Sequence, residues 1–229
     1  MSRRLSPAFV LIALLVCVVV TGPLLSPYAP NAQLDIITLR SQAPSLAHPF
    51  GTDAVSRDVL SRVLDGGRVS LALAILSVSL SLVVGTLYGA ISTLAGGVID
   101  TTMRRLLDVA LSIPRLLVLL AVGALWGALS FPALVLLIGL TGWFATARLV
   151  TDELRALGAL EFAIAARAMG VRGPRLLWRH LLPHLLPTLV ITASFGVAGT
   201  IALEAGLSYL GLGIQAPQAS WGTILRDGA

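Results

Sequence analysis

Hydrophobic positions along this chain fall into long unbroken runs, and the short segments between them hold most of the charge. A helix rises ~1.5 Å per residue, so about 20 apolar residues cross a bilayer's hydrocarbon. Runs of roughly that length lie near 7–25, 69–94, 106–129, 132–150 and 184–203. Lipid offers the backbone no hydrogen-bond partner, so each run must satisfy itself as a helix. The pattern predicts an all-α fold, a polytopic transmembrane helical bundle of five spans. The second run is dense in small residues (Ser70, Ser77, Ser79, Ser81, Gly85, Gly89), which let helix backbones approach closely. Pro114 marks the third run, and Ser130-Phe131-Pro132 makes a tight link to the fourth.

The polar segments divide the chain into parts. Residues 1–50 read as a first span with a proline-rich polar segment after it. Residues 51–68 read as an interfacial amphipathic helix, because Val55, Val59 and Val63 recur every fourth position. Thr52 or Asp53 is placed to cap it, and Asp58 with Arg62 to form an i,i+4 pair. Residues 69–229 hold the remaining spans, interrupted by a polar insert at 151–183.

That insert is the most informative stretch. Asp152 to Met169 has good helix formers, Gly170 is a stop, and Gly173-Pro174 restarts a helix with proline in the first turn, where its missing N–H is harmless. Pro183 then leads into the fifth span. The insert reads as helix–turn–helix lying parallel to the membrane. Ala163, Ala165, Ala166 and Ala168 flatten part of its surface, which suits close docking of another protein.

Composition sharpens this picture. Of 229 residues, 56% are hydrophobic and only 12% charged, with mean hydropathy +0.92, whereas soluble domains carry about a quarter charged residues. The net charge of +5 comes entirely from arginine. These arginines sit between apolar runs, so they mark topology and not a nucleic-acid surface. With the N-terminus inside, Arg3, Arg4, Arg104, Arg105, Arg148, Arg155, Arg167, Arg172, Arg175 and Arg179 fall on the cytoplasmic side, which places the insert in the cytoplasm. The first run lacks a small-x-small cleavage site and reads as an uncleaved span.

Chemistry is excluded more than suggested. Cys17 is the sole cysteine, so neither a disulfide framework nor a cysteine metal site is expected, and no cofactor is implied. A chain without lysine cannot supply the lysine of a phosphate-binding loop, so any ATP hydrolysis belongs to a partner. The zinc-protease pattern H-E-x-x-H is absent. Ser208 is no protease nucleophile, because His184 lies 24 helical residues away, ~36 Å against the ~3 Å needed. Asp108, Arg115, Arg148 and Glu204 lie in or near spans, where a central charge costs about 2.5–3.5 kcal/mol. All four sit near predicted span ends, within reach of the interface, and we assign Asp108, Arg115, Arg148 and Glu204 to structural or gating roles in preference to direct substrate contact, with no metal.

The insert resembles the cytoplasmic pattern E-A-A-x3-G-x9-I-x-L-P of permease subunits in binding-protein-dependent ATP-binding-cassette importers. Ala165, Ala166, Gly170, Leu182 and Pro183 match, while Ile164 replaces the glutamate and His180 the isoleucine. Two further stretches are similar to the dipeptide, oligopeptide and nickel branch. One runs from His48-Pro-Phe-Gly-Thr-Asp53 to Gly67-Arg-Val-Ser-Leu71; the other joins Leu203-Glu-Ala-Gly-Leu-Ser-Tyr-Leu-Gly-Leu-Gly213 to Ser220-Trp-Gly222. The resemblance implies a type I importer permease, with 69–229 as its transmembrane domain and 151–183 as its coupling loop. Glu161, Ala165, Ala166, Arg167, Gly170, Leu182 and Pro183 would then dock on a separate ATPase subunit. On the residues alone, the insert's arginines serve equally as topology markers or as partners for acidic groups. The expected partners are ATPase subunits, a second homologous permease, an extracytoplasmic substrate-binding protein and the lipid bilayer, without nucleic acid. Di- or oligopeptides are the implied cargo, with nickel or another small solute as the alternative. The family's permeases carry a sixth span after the Ser-Trp-Gly segment, and the sequence ends where it is expected, so an incomplete and non-transporting subunit is a further alternative.

Overall fold

The computed structural model describes residues 16–228 apart from 20, 23, 25, 128, 172 and 216. The described residues form helices in the order α1 (Val59–Ala95), α2 (Gly97–Ser112), α3 (Arg115–Trp126), α4 (Phe131–Gly158), α5 (Glu161–Ala168), α6 (Pro174–Tyr209) and α7 (Trp221–Asp227). Among the described residues there is no strand, only an isolated bridge between Thr52 and Asp58. Three helices, α1, α4 and α6, are long and apolar enough to cross a membrane. The bent pair α2–α3 makes a fourth if counted as one span. These match the four later apolar runs; the first, near 7–25, falls mostly outside the described residues.

Local chemistry sets the boundaries. The Asp58 carboxylate accepts from the Ser61 amide at 2.8 Å and the Ser61 hydroxyl at 2.6 Å, so Asp58 is the N-cap of α1. The cap is therefore neither Thr52 nor Asp53. From Val59 the helix runs 37 residues without a break at position 68, where the sequence suggested a separate amphipathic helix. Gly66 and Gly67 do not interrupt it. They allow close contact instead, since a Cβ on Gly67 would lie 3.0 Å from Trp221 Cζ2.

Between α2 and α3 the axis bends by 66°. Ile113, which precedes Pro114, is extended at φ −89°, ψ 120°, because the proline ring disfavours helix in the residue before it. Helix α6 begins with an α-turn at Pro174–Leu176, widens to a π-turn over Leu177–Leu181 and regains α geometry from Leu182.

The chain clusters into two compact units. The first comprises residues 1–73, 126–131 and 201–229, and the second 74–125 and 132–200. In the second unit, α1 and α4 run parallel along a stripe of small residues. Ser77 donates to the Val135 carbonyl at 3.3 Å and Ser81 to the Gly139 carbonyl at 2.8 Å. Farther along, Cβ atoms on Gly85 and Gly89 would stand 2.6 Å from Thr146 Cβ and 2.7 Å from Val150 Cγ1. The small residues read from the sequence thus bring two backbones together, as membrane helices require.

In the first unit, Glu204 of α6 is 1% exposed. Its carboxyl accepts from Ser208 at 2.6 Å, Ser220 at 2.7 Å and Ser70 at 3.2 Å. Each serine oxygen in turn accepts a backbone N–H: Ile214 on Ser208, Thr223 on Ser220 and Trp221 on Ser70. One charged side chain so fixes the loop after α6 and the start of α7.

Candidate functional site

The insert is built from the end of α4 through the start of α6. Helix α4 continues to Gly158, and a break at Ala159–Leu160 separates it from α5. The single helix expected over Asp152–Met169 is therefore two. Glu161 lies in the first turn of α5 and Arg167 in the last, each at the end where the helix dipole favours its charge.

Gly170 ends α5 as the sequence indicated. Its φ is +86°, in the left-handed region that glycine enters without a side-chain penalty. The Gly170 amide bonds the Arg167 carbonyl at 2.9 Å, and the Val171 amide bonds the Ala166 carbonyl at 3.0 Å. This double closure is a Schellman motif, and Val171 packs against the apolar core beside it. Gly173, also at positive φ, precedes Pro174 in the first turn of α6.

The faces of α5 divide unequally. Ala163 and Ala166 are buried in a core with Val150, Leu154, Leu157, Leu176, Leu177, Leu181 and Leu185. Phe162 stacks on His184 with ring centroids 4.6 Å apart. Ala166 therefore packs inside this chain beside Ala163, because positions three apart on a helix share one face. Leu182 is half-buried against the same core. Arg167 donates to the Gly158 carbonyl at 2.8 Å, which ties α5 back to the end of α4. Glu161, Ile164, Ala165, Ala168, Met169 and Gly170 face outward, and Pro183 is exposed on α6.

Residues 81–229 match the family described as binding-protein-dependent transport system inner membrane component. The chain belongs to this family. It is similar to a protein of Brucella suis biovar 1 (strain 1330) named as a peptide permease, 43% identical over 217 residues, which cover 95% of this chain and 71% of that protein. It is likewise similar to a dipeptide transport system permease protein of Bacillus subtilis (strain 168), 34% identical over 96% of this chain and 68% of the relative. An oligopeptide transport system permease protein of Haemophilus influenzae is 39% identical over 83% of this chain and 62% of the relative. The chain is a permease subunit of an ATP-binding-cassette importer, a transport component of the inner membrane.

The other charged positions of the permease are brought into contacts that the sequence left open. Arg148 of α4 pairs with Asp108 of α2 and approaches Asp152 at 4.0 Å. Together with Thr101, Arg104 and Arg105 they line a cleft of about 250 Å³. Asp108 and Arg148 are more than half exposed, so in water this pair adds little rigidity. Asp100, by contrast, is buried. It accepts from Ser92 of α1 at 2.6 Å and pairs with Arg155 of α4, joining three helices where α2 begins.

Before α1, the suggested Asp58–Arg62 pair does not form. Asp58 instead meets His48 Nδ1 at 2.9 Å, and Arg62 bridges Asp53 at 2.6 Å and Asp227 at 2.9 Å. Arg57 contacts the same two carboxylates, at 2.7 and 2.9 Å. Burial pushes the Asp53 carboxyl up, but the Arg57 amide, the Arg57 guanidinium and the Val55 amide outweigh it and hold its pKa below the ordinary 3.8. Sequence reasoning missed this clasp because its bonded partners lie up to 170 residues apart. The one available signal was the similarity of the stretch holding Asp53, Arg57 and Arg62 to the transporter branch, and it did not extend to Asp227.

Proposed function

We propose that this permease carries di- or oligopeptides inward across the cytoplasmic membrane, with its N-terminus and insert in the cytoplasm. Separate ATPase subunits dock on the insert, a second homologous permease completes the pathway, and a binding protein delivers cargo from outside. Peptide cargo is supported by the names of the relatives.

The observation that carries the docking assignment is the outward face of α5. Ile164 is 54% exposed and Met169 77% exposed on a helix whose opposite face already supplies a core. Full burial of such a side chain is worth about 1.5–3 kcal/mol. A partner covering both gains that term, and Ala165 and Ala168 let it approach closely. Pro183, Leu182 and the Schellman turn at Gly170 hold the face at a fixed angle to α6. A pull of the ATPases on α5 is then delivered to α6 as a rigid-body movement.

Extraction of the chain from its native membrane in mild detergent, with mass spectrometry of what accompanies it, tests this reading. ATPase subunits and a second permease are expected. A chain recovered alone would refute the assembly, and an Ile164→Asp variant that still recovers the ATPases would refute the docking face.

A further inference from the structure

Arg115 is the first residue of α3, directly after the 66° bend. Its Nη2 donates to the Ile138 carbonyl at 2.7 Å and its Nε to the Thr141 hydroxyl at 3.2 Å. Ile138 and Thr141 lie seven and ten residues into α4, about 10–15 Å along its axis. With α4 entering the ~30 Å hydrocarbon at Phe131, this distance puts the guanidinium about a third to a half of the way across. Gly142 makes room for it, since a Cβ there would lie 3.2 Å from Nη2.

The guanidinium is only partly buried by its own chain. Arg115 is exposed, and Nη1 has no protein partner among the described residues. A free cation facing lipid at this depth costs about 2.5–3.5 kcal/mol on insertion scales, and no lipid headgroup reaches mid-bilayer. The face bearing Arg115 must therefore look onto a polar, water-accessible space. Beside it the bend opens a pocket of about 350 Å³ walled by Ile113, Val118, Phe144 and Ala145, with Thr141 and Arg115 as its polar groups. Small-molecule sites have this composition: a mostly apolar wall of at least ~300 Å³ with few convergent polar groups.

Resting on the peptide reading above, we propose that this pocket is a subsite of the translocation pathway for the C-terminal end of the peptide. The unpartnered N–H groups of Arg115 receive the terminal carboxylate, and the apolar wall receives the last side chain. A guanidinium matches a carboxylate as a planar fork, the strongest hydrogen-bonded pairing a side chain offers. The carbonyl of Ile138 and the hydroxyl of Thr141 hold that fork in place. The proline-induced bend thus creates the space, and the arginine at its edge gives the space its charge preference.

The test uses the assembled importer in proteoliposomes with its binding protein, and two probes, Ala-Leu and its C-terminal amide. Uptake by Arg115→Gln is divided by wild-type uptake for each probe, so any preference of the binding protein cancels. The expected result is a loss of about tenfold or more for Ala-Leu, with the amide unchanged. Arg115→Lys is expected to fall between. Equal losses for both probes, or no loss for either, would overturn the subsite. If the wild-type importer moves neither probe, the peptide reading itself fails and the subsite falls with it.

Assembly of Arg115→Gln is checked by ATP hydrolysis stimulated by the binding protein. Should the variant not assemble, an Ala145→Cys chain with Cys17→Ser tests the same pocket with Arg115 intact. A water-soluble thiol reagent is expected to label Cys at that position, and Ala-Leu to slow the labelling where its amide does not. Absent labelling, or labelling indifferent to Ala-Leu, would overturn the proposal.

Discussion

The Ser220 hydroxyl donates to Glu204 Oε1 at 2.7 Å while its oxygen accepts the Thr223 amide at 3.1 Å. The same serine is thus the cap of α7 and an anchor on α6. Ser70 repeats the arrangement toward the Trp221 amide, and Ser208 toward the Ile214 amide. A single acceptor therefore aligns three hydroxyls, and each hydroxyl holds one backbone donor.

Removing that acceptor is expected to release all three. Glu204→Ala leaves three buried hydroxyls to find new partners, each unsatisfied group costing about 1–3 kcal/mol. Glu204→Gln keeps one acceptor oxygen and is expected to lose less. Thermal unfolding of the purified importer should rank wild type above Gln above Ala. Equal midpoints for Ala and wild type would show that the network holds nothing.

The Asp53 clasp carries a pH dependence. Its pKa in the folded chain is depressed below 3.8, so its contribution is complete above that value and is lost as pH falls through the lowered one. Asp53→Asn is expected to reproduce the acid state at neutral pH. With the proposed orientation, trypsin added outside should then cut faster after Arg57, while wild type shows this only in acid pretreatment. Unchanged cleavage in the variant would remove the clasp as a constraint.

At Gly85, any side chain meets α4 directly. The Cβ of alanine would lie 2.6 Å from Thr146 Cβ and 2.9 Å from the Ala147 nitrogen, and neither is the end of a flexible chain. Gly85→Ala is expected to cost about 1–3 kcal/mol through overpacking, and Gly85→Leu to prevent assembly. Yield of assembled importer after detergent extraction measures both.

Gly170 tests the insert differently. Nothing lies within 4 Å of a Cβ built there, so a substitution meets no clash and only the left-handed backbone resists it. That conformation costs an ordinary residue about 1–2 kcal/mol, and asparagine less. Gly170→Asn is expected to retain uptake, and Gly170→Val and Gly170→Trp to lose it while still inserting. Normal uptake by a stably inserted Gly170→Trp chain would refute transmission through this turn.

Much of this architecture was legible in the chain. Hydropathy located α1, α4 and α6 because lipid imposes length and continuity on any helix that crosses it. Gly170 and Gly173-Pro174 were legible because backbone geometry alone demands those residues. The extent of α1 was not, since a Gly66-Gly67 pair looks the same whether it breaks a helix or admits Trp221. The inward turn of Ala166 was hidden for a related reason. Alanine suits both faces of α5, and only the core of leucines behind it decides which one it takes. The partners of Asp58 and Arg62 were also out of reach, because nearest neighbours in sequence lost to His48, Asp53 and Asp227.

The stripe along which α1 meets α4 has a consequence for handling and for motion. It joins two surfaces that are as content in oil as against each other, so nothing is gained there by expelling solvent. Fit holds it, together with the two serine hydroxyls and the Asp100 link between Ser92 and Arg155 at its end. Such a joint is indifferent to the polarity of its surroundings and sensitive to their thickness. A detergent with a bulky tail should leave it shut, whereas a slim intruder able to lie in the groove of Gly85 and Gly89 would part the helices without unfolding either one.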